Sequence, residues 1–282
     1  MRTETEMMTA ILSFAKKNKH IRIVAMNGSR VNQNVEKDHL QDYDIAYIVD
    51  EMDFFTKDPS WLDDFGPILM MQKPDDFTLK THSDIIDYHY LVQFQDGNRI
   101  DFTFIPLENL EQYLQRDRLV EVIMDKDSII SGVAPATDQN YWVKKPSEQK
   151  YRDCINEMLW LSLYVAKGIE RNEPIYAMDY LSDMRSMLLK MIAWQVGFET
   201  NFSLSVGKNY KRLDRYISPN MWQKVLATYN LGSREHCINA LESMLTIFSV
   251  VCDRVGDFGN FVYDRHEYHD VSAYILNRIN HE

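Results

Sequence analysis

Two short apolar runs, Ile21 to Met26 and Tyr43 to Val49, flank a turn of small residues, Gly28-Ser29-Arg30, and an acidic triplet, Asp42-Tyr43-Asp44. The triplet opens the second run thirteen positions after Ser29. Runs of this length read as strands. A glycine-serine turn leaving a strand can offer backbone N–H groups to a phosphate. Carboxylates at i and i+2 of a strand point to the same face, so Asp42 and Asp44 can both hold one metal ion.

A third carboxylate follows. Asp96-Gly97-Asn98 reads as a hairpin turn between strands over Tyr88–Phe94 and Arg99–Ile105. The second of these strands alternates, with Ile100, Phe102 and Phe104 facing one way and Arg99, Asp101 and Thr103 the other. An acid within an apolar strand is costly to bury unpaired. Asp101 is therefore either part of a site, as metal ligand or general base, or the partner of Arg99 or another cation. Arg30 has two roles open to it, a phosphate contact or a structural ion pair.

These residues carry a resemblance. Ala25 to Arg30, Gln41 to Ile45, Gly97 to Pro106 and Gly207 to Lys211 resemble the nucleotidyltransferase superfamily that includes DNA polymerase beta. More closely, the chain looks like the aminoglycoside 6-adenylyltransferases, which inactivate streptomycin. The likeness runs from the first helix to the end of the chain. It implies an α+β fold, with an N-terminal nucleotidyltransferase mixed sheet and flanking helices followed by a C-terminal helical bundle, and an active site in the cleft between them. It implies ATP as co-substrate and Mg²⁺ on Asp42, Asp44 and Asp101. It places Gly28 and Ser29 on the outer phosphates and an acid, Asp101, close to the acceptor hydroxyl. AMP would pass by direct displacement to an aminoglycoside, streptomycin by resemblance, with release of pyrophosphate. The alternatives are a different acceptor, such as a protein hydroxyl, and a nucleotide-binding regulator without turnover.

The 282 residues, 45% of them hydrophobic, suffice for one large or two medium domains. The stretch 133–147, with Pro135 and Pro146, is the expected junction between a domain over 1–135 and one over 145–282. Residues 4–19, 53–65 and 107–114 read as helical in the first half. Helices over 148–168 and 178–196, and an apolar stripe from Leu241 to Val251, mark the second. Residues 1–140 hold 14 Lys and Arg against 25 Asp and Glu, and the remainder 17 against 17. The whole net charge of −11 thus lies with the carboxylates. Such a surface draws a cationic small substrate and speaks against a nucleic-acid partner.

In the second half, Lys208 and Lys211 lie in a segment of four cations read as helical; they are either a solvated face or contacts for the triphosphate. Asp179 and Asp183 share a helical face opposite Leu181 and Met184. They either face solvent or take guanidinium groups of the acceptor. Glu157, Trp160 and Tyr164 are further candidates for that wall, with the core as the alternative for the two aromatic residues. The histidines form no zinc pattern, and neither a Gly-x-Ser-x-Gly nor a Walker A sequence is present. Cys154, Cys237 and Cys252 fit neither a disulfide framework nor a metal site, and read as reduced thiols. No apolar run is long enough to cross a membrane. A cytoplasmic monomer is expected.

Overall fold

The computed structural model describes residues 1–79, 87–132 and 134–279. The chain divides into two compact units, Met1–Asn140 and Tyr141–Glu282. Of the junction expected at 133–147, residue 133 lies outside the described residues.

The first unit begins with α1 (Glu4–Lys17), opened by a capping box in which Thr3 and Glu6 satisfy each other's backbone N–H groups. Six strands follow: β1 (Ile21–Asn27), β2 (Tyr43–Val49), β3 (Ile68–Gln72), β4 (Tyr88–Phe94), β5 (Arg99–Pro106) and β6 (Val120–Asp125). They form one sheet in the order β3-β4-β5-β2-β1-β6. All neighbours are antiparallel except β2 and β5, which run parallel at the centre.

The alternation along the strands sorts the side chains into two cores. Tyr43, Ile45, Tyr47 and Val49 of β2, with Ile100, Phe102 and Phe104 of β5, pack against α1 and the aromatic residues Trp61 and Phe65. Trp61 meets Phe102 edge-on, with ring centroids 5.2 Å apart. On the other face, Ile23, Ala25, Ala46, Ile48 and Ile105 pack with Tyr113 of α3 (Leu110–Arg116). Asp44 and Asp101 belong to this second face by parity.

Two helical expectations are corrected here. Residues 53–65 do not form one helix: α2 is a single turn (Asp53–Thr56), and Pro59–Phe65 is a 3₁₀ segment. Pro59 cannot donate to a continuing helix, and Asp58 caps the new start by accepting from the Ser60 N–H. The edge strand β6 had no expectation attached to it, because Glu121 and Asp125 dilute its apolar signal.

The second unit is helical: α4 (Glu148–Glu170), α5 (Pro174–Glu199), α6 (Pro219–Ala227), α7 (Arg234–Gly259) and α8 (Arg265–Ile279). Ile155, Leu159 and Ser162 of α4, Leu181, Met184, Leu188 and Met191 of α5, and Leu241, Met244, Leu245, Phe248 and Val251 of α7 are all buried. Pro174 starts α5 at a position where its missing N–H is not needed. The other correction concerns Lys208 to Arg215. It folds as two 3₁₀ turns, Lys208–Tyr210 and Leu213–Arg215, rather than a helix. Positive φ at Gly207, Asn209 and Tyr210 interrupts it. All three cysteines are buried thiols. Among the described residues, no helix is long and apolar enough to cross a membrane.

Candidate active site

The parallel pairing of β2 with β5 sets Asp44 directly beside Asp101. The antiparallel pairing of β1 with β2 sets Asn27, the last residue before the glycine turn, beside Asp44. Three segments distant in sequence thereby meet at one edge of the sheet face. Gly28 has φ +74°, and a Cβ added there would lie 2.0 Å from Asp44 Oδ2. No side chain fits: the carboxylate of Asp44 occupies the space over the glycine. Neither Asp44 nor Asp101 is fully buried, so both can be reached from outside.

The electrostatics follow from this crowding. Asp44 is pushed up to about 6, first by burial, then by the charges of Asp101 and Asp42, against the opposing pull of Arg99 and Arg30. Arg99 forks onto Asp101, with Nε to Oδ1 at 2.7 Å and Nη2 to Oδ2 at 2.9 Å. Its Nε also lies 3.6 Å from Asp42 Oδ2. A guanidinium thus supplies positive charge to two of the three aspartates. Of the roles open to Asp101, the pairing with Arg99 is the one present. Among the described residues, no three His, Cys, Asp or Glu side chains are drawn close enough to enclose a metal ion. The three aspartates are neighbours but not a closed ligand set.

The donor set nevertheless suits a hard divalent cation. It is all carboxylate oxygen, it carries more negative than positive charge, and one member, Asp44, is held above its ordinary range by burial and then by its acidic neighbours. A cation there would relieve that repulsion.

Arg30 is buried and takes the structural role. Its Nε donates to the Asp42 carbonyl at 3.1 Å and its Nη2 to the Gln41 carbonyl at 2.8 Å. Its guanidinium lies 3.6 Å from the centroid of the Tyr43 ring. Gln41 Nε2 returns to the Ser29 carbonyl at 3.3 Å. The turn and the entry to β2 are tied together this way, leaving Gly28 and Ser29 as the phosphate candidates of this unit. Tyr113 of α3 donates its hydroxyl to Asn27 Oδ1, fixing the end of β1 from the other side.

The remaining candidates lie in the second unit. Asp179 and Asp183 are exposed on α5, and Glu157 and Trp160 on α4. Trp160 is 55% exposed and is not a core residue. It begins a ladder of which sequence reasoning offered Trp160 and Tyr164 but missed Tyr176 and Tyr180: Trp160 Nε1 donates to the Tyr164 hydroxyl at 2.9 Å, the Tyr164 and Tyr180 ring centroids are 4.8 Å apart, and those of Tyr180 and Tyr176 4.7 Å. The i, i+4 spacing of Trp160 with Tyr164 and of Tyr176 with Tyr180 was the available signal. Lys208 is exposed on the first 3₁₀ turn and Lys211 just after it.

The family model for streptomycin adenylyltransferase matches residues 1–278. The chain belongs to that family. It is 37% identical over 269 residues, 95% of each chain, to the aminoglycoside 6-adenylyltransferase of Staphylococcus aureus. It is 38% identical over 280 residues to that of Campylobacter jejuni, covering 98% of this chain and 96% of the other. A 39% identity to the enzyme of that name from Bacillus subtilis (strain 168) spans 250 residues, 88% of each. A crystal structure of an aminoglycoside 6-adenyltransferase from Bacillus subtilis aligns over 99% of this chain and 100% of that one, at 32% identity and a TM-score of 0.49. This family member is thus an enzyme of the adenylyltransferase class.

Proposed function

We propose that the protein transfers AMP from ATP to a hydroxyl of an aminoglycoside, streptomycin first among them, releasing pyrophosphate and so conferring resistance. The observation that carries this reading is the placement of Asp44 over Gly28 and in register with Asp101. In this reading the backbone of Gly28 and the hydroxyl of Ser29 hold the outer phosphates. Asp42, Asp44 and Asp101 hold Mg²⁺, which when bound withdraws charge from the α-phosphate. Asp101 takes the proton of the attacking hydroxyl. For Asp101 to hold the cation the Arg99 fork would have to turn aside, since a guanidinium and a divalent cation repel each other.

The acceptor is cationic. The acidic character of residues 1–140 favours it, and so does the second unit, where the carboxylates of Asp179 and Asp183 share α5 with Tyr176 and Tyr180. Aromatic faces and carboxylates together suit guanidinium groups. Glu157 and Trp160 extend the same surface along α4.

The test is pyrophosphate release with ATP and Mg²⁺, across streptomycin, kanamycin, spectinomycin and no acceptor, beside Asp44→Ala. Release with streptomycin that disappears in the variant is expected. ATP binding without release for any acceptor would defeat the proposal.

A further inference from the structure

The Gly28–Arg30 segment is one 3₁₀ turn, and residues 31–41 carry the chain from it to Asp42 with no helix or strand of their own. A lone 3₁₀ turn in a loop is weakly held by its own hydrogen bonds, so its shape depends on what grips it from outside. At the Asp42 end that grip is Arg30, through the carbonyls of Gln41 and Asp42. At the Ser29 end it comes from a residue remote in sequence. Asp138 is only 3% exposed. Its Oδ1 accepts from Asn34 Nδ2 at 3.0 Å and its Oδ2 from Asn32 Nδ2 at 3.4 Å. Asn32 Oδ1 in turn accepts from the Asn34 backbone N–H at 2.9 Å, and the Asn32 N–H donates to the Ser29 carbonyl at 3.3 Å.

Asp138 is itself fixed on both sides. The Thr137 N–H donates to the Arg118 carbonyl at 3.0 Å, and Arg118 Nη1 donates to Gln139 Oε1 at 3.1 Å. Arg118 leads into Val120, which pairs with Asn27 across β6 and β1. The bonds therefore close a circuit. It leaves the sheet at Asn27, passes through Gly28 and Ser29 to Asn32, crosses to Asp138, and returns by Arg118 to the strand beside Asn27. Val31 and Gln33 line one cleft with Pro135 and Ala136, so the two segments lie side by side. A buried carboxylate is a costly way to add stability. With a separate oxygen for each asparagine, this one fixes Asn32 and Asn34 relative to the sheet.

We propose that Asp138 is a positioning residue for the reaction, acting through Asn32 and Asn34 to hold Gly28 and Ser29 in the shape that receives the donor nucleotide. The proposal rests on the adenylyl-transfer reading for that ligand. Donor groups already in place bind without first being ordered, whereas a loose turn is ordered at the expense of affinity. The hold on the turn is testable without turnover.

The experiment compares the full chain with Asp138→Ala, Asp138→Asn and Asn34→Ala. It reads hydrogen exchange of peptides covering residues 28–34, ATP affinity by calorimetry with Mg²⁺, and the KM values for ATP and streptomycin. In Asp138→Ala, residues 28–34 should exchange faster while the strand peptides exchange as in the wild type. ATP affinity should fall about tenfold, with a matching rise in the KM for ATP and none in that for streptomycin. Asp138→Asn keeps an oxygen for one asparagine and an NH₂ for the turned amide of the other, and should recover most of the loss. Asn34→Ala, at an exposed position, should move the same readouts the same way by less, and carries the test if Asp138→Ala does not fold. Unchanged exchange at 28–34 overturns the hold. Faster exchange with unchanged ATP affinity, or an equal rise in both KM values, overturns the positioning role. A loss in Asp138→Asn as large as in Asp138→Ala overturns the route through the asparagines. A wild type that binds no ATP removes the adenylyl-transfer reading, and the exchange result then still decides whether Asp138 holds the turn.

Discussion

Replacing Asp44 by Asn should stabilise the protein while abolishing its chemistry. The carboxyl moves from an ordinary value of 3.8 to about 6 on folding. At neutral pH this costs about 3 kcal/mol, an upper bound for a group that keeps some solvent contact. Between those two values the folded chain retains a proton that the unfolded chain has released. Stability from this group therefore falls as pH rises through the window, and the penalty is complete above about 6. The amide of Asp44→Asn has the same shape and no charge. At roughly 3 °C per kcal/mol for a unit of this size, the variant should melt up to about 9 °C higher at pH 8. The gap should close as the pH falls toward 4. Mg²⁺ should raise the melting temperature of the wild type and leave the variant unmoved. Thermal melts of both proteins from pH 4 to 8, with and without Mg²⁺, read all three effects. A variant that melts no higher than the wild type at pH 8, or by a margin independent of pH, would refute the argument that burial and neighbouring acids make the Asp44 charge costly.

Three other outcomes follow from the same geometry. Gly28→Ala combines a positive φ with a methyl placed on Asp44 Oδ2; it should cost about 1–3 kcal/mol and remove AMP transfer, measured by melting and by pyrophosphate release. Arg99→Gln removes the cation that competes for Asp101, so Mn²⁺ binding followed by electron paramagnetic resonance should tighten severalfold; weaker binding would show that Arg99 holds the carboxylate in its productive position. Asp179→Asn/Asp183→Asn should raise the KM for the acceptor about tenfold with little change in kcat or in the KM for ATP, in steady-state kinetics; unchanged KM values would place the acceptor elsewhere.

The central strands were legible as short apolar runs in β1 and β2 and, in β5, through apolar residues that alternate with a period of two. That alternation also placed Asp101 opposite Phe102, and the glycine turn and acidic triplet needed only their positions relative to strands. What the sequence withheld depends on register and on backbone conformation. Nothing in Arg99-Ile100-Asp101 states whether the guanidinium folds onto the acid two residues away or reaches solvent. Arg30 could have faced a phosphate until the carbonyls of Gln41 and Asp42 were seen to claim it. The positive φ values at Asn209 and Tyr210 are tertiary choices that no helical period announces. The aromatic ladder draws on Trp160 and Tyr164 of one helix and Tyr176 and Tyr180 of the next, which only the antiparallel packing of α4 on α5 brings together.

The parallel contact between β2 and β5 has a consequence for how the protein comes to be folded. Asp44 and Asp101 are neighbours in space, but β3 and β4 intervene in sequence. During synthesis the three-aspartate set stays incomplete until Pro106 has been made and β5 has docked against β2. That docking closes a long loop and brings two negative charges together, so two unfavourable terms coincide at one step. The antiparallel ladders of β1 with β2 and of β4 with β5 can form beforehand from more local contacts. The candidate active-site edge is thus among the last parts of its sheet to be assembled, and a chain halted short of it lacks the third aspartate.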